Sequence, residues 1–167
     1  MSGTGSSLRS VERSVARLQA VQALYQIEMI SGDVESVIKQ MIHHGLGRAV
    51  EGGELSEADS SLFDDIVRGL YSRQTEIDDH LAGAMNQRDL SRLDIVVRAI
   101  VRAGTYELLA RVDIPARVVI NEYVDLAHAF FGGGEAKFVN GVLDRIARTL
   151  RSLEVDKTKD GETKAKR

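Results

Sequence analysis

Arg9, Arg13 and Arg17 recur at every fourth position of a stretch that reads as one helix, "LRSVERSVARLQAVQALYQIEM". At about 100° per residue the three lie within an arc of roughly 80°. A row of guanidinium groups suits a phosphate backbone. Each is permanently charged, planar and able to donate two parallel hydrogen bonds to an anionic oxygen pair. Glu12 is the only carboxylate in the first 27 residues, and it projects from another face. Val11, Val15 and Leu18 lie on the far side of the wheel, which predicts that the arginines face water while the helix packs beneath them. The alternative is a cationic face that merely solvates the helix.

Other residue types offer less chemistry. His43 and His44 are adjacent and diverge on a helix, and His80 and His128 stand alone, so no metal pair is expected. The pairs Asp64–Asp65 and Asp78–Asp79 diverge by about 100° and read as solvated carboxylates rather than as an acid and a base. "GGGEAK" sets a glycine-rich turn before a lysine, but it lacks the Lys-Ser/Thr ending of a phosphate loop and follows no strand. No nucleophile is paired with a base at a recognisable spacing. The expectation is a protein that is not an enzyme and needs no cofactor or metal.

The elements that must position the arginines are helical. The chain has 167 residues, 43% of them hydrophobic, which suffices for a compact core. Its net charge of −3 excludes a globally basic nucleic-acid binder and leaves only a local patch. There is no cysteine, hence no disulfide and no thiolate metal site, and a reducing compartment fits. No apolar run has membrane-spanning length and the N-terminus lacks a signal-peptide core, so a soluble, cytoplasmic protein is expected.

Apolar residues recur at three and four, which predicts about seven helices. The first is expected from Ser10 to Ile30, after a flexible basic leader over 1–9. Asp33 is placed to cap the second. "GLGRAVEGGELS" reads as a loop, and Ser56 with Asp59 as a short form of a capping box before the third. A fourth holds Ile77 and Leu81, and a fifth runs through Gly104, whose cost in a helix implies a close neighbour. Pro115 suits the start of the sixth, and residues 132–134 stop it. The last carries Phe138 to Leu150, with Asn140 and Gly141 read as structural, Gly141 at a close helix crossing. Residues 153–167 form a charged tail with little to bury.

Two stretches are more specific than any spacing. "AVQALYQIEM" near the start and "DIPARVVINEYVDLAHAFFGGGEAKFVNGVLDRIA" near the end, the latter preceded by "RAIVRAGTYELL", resemble the bacterial antitermination factor family NusB. The likeness covers about residues 10–150, with both ends in the right order.

The resemblance implies an all-α fold of two packed antiparallel sub-bundles, over about 10–75 and 76–152. It also implies an RNA-binding adaptor that takes up boxA of nascent ribosomal RNA together with NusE, a small-subunit ribosomal protein, within the RNA polymerase antitermination complex. Matched through "AVQALY", Arg13 and Arg17 occupy positions of the family's arginine-rich motif and Arg9 lies in the same basic leader. Ser14 and Val15 stand where many members have further arginines. Lys137 and Phe138 match the start of the last helix at the RNA surface. Phe138 could stack on a base or belong to the apolar stripe of Leu143 and Ile146. Phe131 and Glu135, flanking the glycines, are the implied partner contacts. Some members are monomers and some are dimers, so a homodimer is among the implied partners and the oligomeric state stays open. Two other readings remain: a helical protein-interaction module with no RNA, and a relative of the accessory domains fused to ribosomal RNA methyltransferases.

Overall fold

The structure, a computed structural model, describes residues 3–30, 32–44, 49–51, 54–56 and 58–157. The chain divides into two compact units, Met1–Gln74 and Thr75–Arg167. Among the described residues the fold is all-helical apart from one small hairpin.

In the first unit α1 (Gly3–Ile30) packs against α2 (Val34–His43) and α3 (Ser60–Ser72). Helix α1 begins at Gly3, so most of the expected leader is helical and Ser10 lies within the helix rather than at its cap. Asp33 caps α2 by accepting from the Ser36 amide at 3.1 Å, as its position predicts. The N-cap of α3 is Asp59, which accepts from the Leu62 amide at 3.0 Å. Ser56, three residues earlier, belongs to a strand. The stretch read as a loop contains β1 (Ala49–Glu51) and β2 (Glu54–Ser56), antiparallel with Val50 opposite Leu55. Three-residue strands carry too little alternation to show as a pattern. On α3, Leu62, Phe63, Ile66, Val67 and Leu70 are buried, the stripe that their spacing predicts. Arg68 bridges Asp64 at 2.7 Å and also pairs with Glu35 of α2.

In the second unit α5 (Ile95–Ala110), α6 (Ala116–Phe130) and α7 (Gly133–Leu150) pack on one another, preceded by α4 (Gln74–Ala84) and a single 3-10 turn, Leu90–Arg92. Asp78 of α4 and Arg102 of α5 form a two-pronged bridge at 2.9 and 3.0 Å, so this carboxylate is structural rather than merely solvated. Buried Tyr123 donates to buried Glu107 at 2.5 Å, which joins α6 to α5.

Gly104 and Gly141, both within helices, differ. A Cβ on Gly104 would lie 2.8 Å from Leu143 Cδ1 and 3.3 Å from Tyr123 Cδ2, so the absence of a side chain lets α7 and α6 approach. At Gly141 a Cβ would meet nothing within 4 Å, so the expected close crossing is not there. Gly104→Val should therefore cost about 2–3 kcal/mol by overpacking. Gly141→Ala should gain about 0.5–1 kcal/mol of helix propensity. Urea unfolding of the two variants checks both signs.

The segment after α7 belongs to the fold. Residues 152–157 are helical, and Glu154 accepts from the Ala116 amide at 2.7 Å. It thereby caps α6, whose own cap residue, Pro115, supplies no side-chain hydrogen bond. The tail expected from residue 153 thus contains a structural residue, and 158–167 lie outside the described residues. Among the described residues no helix is long and apolar enough to cross a membrane.

Candidate nucleic-acid interface

The arginine row grades from water into the core. Arg9 is exposed, the Arg13 side chain is 29% exposed, and Arg17 is 1% exposed. The expectation that all three face water fails at Arg17. From Val15 to Ile27, α1 is buried around most of its circumference, including Ala16, Ala20, Val21, Ala23 and Leu24. On the wheel Arg17 lies about 20° from Leu24 and in the middle of that arc. The arginine stripe is therefore an extension of the core face toward the helix start. Val11 and Leu18, expected to carry the packing, are only half-buried.

A buried arginine is part of the fold whatever else it does. Arg17→Ala should lower stability by about 3 kcal/mol, whereas Arg9→Ala should stay within about 0.5 kcal/mol of the parent. Thermal denaturation followed by circular dichroism separates the two.

Arg13 is held at the junction with α3. The Asp59 amide donates to the Glu12 carbonyl at 3.0 Å, which fixes the start of α3 against α1. Asp59 Oδ2 then stands 3.9 Å from Arg13 Nε. That is close enough for attraction and too long for a hydrogen bond. Among the described residues Arg13 Nε is buried with no hydrogen-bond partner. The accessible cations of this row are Arg9 and the outer part of Arg13.

The other expected residues sit in the second unit where α6 gives way to α7. The glycines divide their work: α6 ends at Phe130, Gly132 is the cap of α7, and Gly133 already starts that helix. Glu135 is exposed in the first turn of α7, where a carboxylate favours the helix dipole. Lys137 is exposed, and Phe131 and Phe138 are half-buried. Half-burial leaves both roles for Phe138, packing and stacking, within reach of one ring. Phe130 was not among the expected residues. It is 42% exposed, with its ring 6.5 Å from that of Phe131 at 49°. The doublet "FF" was the available signal, two large rings set where the helix gives way to the glycines.

His43 and His44 are exposed with rings edge to face, and no group of three His, Asp or Glu among the described residues could hold an ion.

These features define a helical protein with a cationic helix start in one unit and a lysine-aromatic corner in the other. Comparison with known proteins narrows the class. A model of the NusB family matches residues 14–148. The transcription antitermination protein NusB of Caulobacter vibrioides is 49% identical over 140 residues, 83% of this chain and 94% of that protein. Its counterpart in Sphingopyxis alaskensis is 47% identical over 86% of this chain and 97% of the relative. The solved NusB of T. maritima superposes with a TM-score of 0.68 at 31% identity, covering 81% of this chain and 90% of that one. A NusB solved with NusE and dsRNA shares the fold, with a TM-score of 0.67 at 24% identity over 81% and 96% of the two chains. The chain belongs to the NusB family.

Proposed function

We propose that the protein is an RNA-binding adaptor in transcription antitermination. It takes up boxA of nascent ribosomal RNA together with NusE and acts in the cytoplasm as part of the RNA polymerase antitermination complex. It works by assembly rather than by catalysis. The observation that carries this reading is family membership over residues 14–148, with near 50% identity to transcription antitermination proteins. The exposed Arg9, the partly exposed Arg13, and Lys137 with Phe138 support it chemically. Guanidinium and ammonium groups neutralise phosphates and release counterions, and a half-exposed ring can stack on an unpaired base. Arg17 supports the RNA surface from within the fold. Phe131 and Glu135, beside the glycine turn, are proposed to contact NusE, and each ligand then raises the affinity for the other. A homodimer would be an additional state of the same chain.

The test is equilibrium titration of boxA RNA, with and without NusE. We expect boxA to bind more tightly than a scrambled RNA, and NusE to tighten it further. Equal binding of both RNAs, or no binding even with NusE, would leave the protein-interaction reading in its place.

A further inference from the structure

Asp59 has two carboxylate oxygens with two different jobs. Oδ1 accepts from the Leu62 amide at 3.0 Å and caps α3. The Asp59 amide donates to the Glu12 carbonyl at 3.0 Å, which pins the cap to α1 one residue before Arg13. Oδ2 is left 3.9 Å from Arg13 Nε, and both side chains are 29% exposed. The pair therefore shares charge without a directed bond. Arg13 Nε stays buried with no hydrogen-bond partner among the described residues, so the guanidinium is attracted but not clamped.

We propose that Asp59 is a built-in competitor for the phosphate that Arg13 receives, holding RNA affinity below what the cationic helix start would otherwise give. This rests on the RNA-binding reading above. An anion that docks on Arg13 meets the carboxylate as well, within the screening length of about 8 Å at physiological salt. The carboxylate cannot swing away freely, because the cap and the bond to Glu12 both fix its residue. The negative charge itself is not required for capping, since asparagine and serine cap helices about as well as aspartate. The arrangement restrains a stretch of cationic helix from binding any polyanion, and leaves selectivity to the remaining contacts and to NusE.

Four proteins test it: the parent, Asp59→Asn, Arg13→Gln and the double variant, each titrated with boxA RNA and scrambled RNA in the presence of NusE. Asp59→Asn should bind boxA about three- to fivefold more tightly. On the Arg13→Gln background the same change should gain less than about twofold. Asp59→Ser, a second uncharged cap, should reproduce the gain and guards against a packing effect of asparagine. Unchanged or weaker binding by both neutral variants, with the parent still selecting boxA, overturns the proposal. So does an equal gain with and without Arg13, which would make the effect one of general charge. A parent that does not distinguish boxA from scrambled RNA overturns the RNA reading first, and this inference with it.

Discussion

Replacing Arg151 by methionine should destabilise the second unit by about 3–5 kcal/mol, the largest stability effect expected of any single change here. Arg151 follows α7 and is 7% exposed. Its Nε donates to the Leu108 carbonyl at 2.8 Å, and its Nη2 to the carbonyls of Glu107 at 3.0 Å and Arg111 at 2.7 Å. Nη1 donates to the Ile114 carbonyl at 2.6 Å. A helix ends with carbonyls that have no partner of its own, and its C-terminus carries partial negative charge. One guanidinium answers both needs at the end of α5 and reaches the turn into α6 besides. Methionine keeps the apolar stem and takes the donor from the Leu108 and Ile114 carbonyls, while those of Glu107 and Arg111 keep the backbone amides of Arg111 and Ile114. Lysine does not substitute, because three donors on one ammonium cannot match a planar fork spread over four carbonyls. Differential scanning calorimetry of Arg151→Met and Arg151→Lys checks the size of the loss. A shift of less than about 1 kcal/mol would mean that water replaces the guanidinium readily.

The second large effect concerns RNA. Arg9→Glu combined with Arg13→Glu should weaken boxA binding by about 10- to 100-fold near 0.1 M salt, because two cationic contacts become repulsive. Helical content should be largely retained, since Arg9 is exposed and Arg13 is 29% exposed, with a small loss from the new carboxylate beside the α3 cap Asp59. Gel-shift titration beside circular dichroism reads both. Arg17→Glu would be uninformative in the same assay, because a charge reversal at a 1% exposed site unfolds its surroundings before it reports on RNA.

Much of the fold could be read from spacing. The stripes of α3, α5, α6 and α7, the Asp33 cap and the tight approach at Gly104 follow from residue type and periodicity, whereas on α2 only Val37 and Ile38 are buried and Ile42 is 54% exposed. What escaped has definite causes. The hairpin of β1 and β2 is too short to alternate visibly. The contributions of Arg151 and Glu154 depend on partners 37 to 44 residues away, for which local patterning carries no signal. Arg17 stands where the half-exposed start of α1 passes into its buried second half, and spacing alone does not mark that boundary. Continued to Ile27, the helical wheel puts Leu24, Ala20 and Ile27 on the arginine face, consistent with the burial of Arg17. The candidate interface was thus legible in residue type, while its accessible extent was set by how far along α1 the core reaches.

The central claim is that phosphates dock on the accessible guanidinium groups at the start of α1. Its most direct test is the salt dependence of boxA affinity for the protein–NusE pair, compared with that of the Arg9→Gln and Arg13→Gln double variant. Each lost phosphate contact to single-stranded RNA should flatten the plot of log K against log salt by about 0.7, so the double variant should lose about 1.4 in slope. An unchanged slope, with boxA still bound, would show that the transcript docks elsewhere.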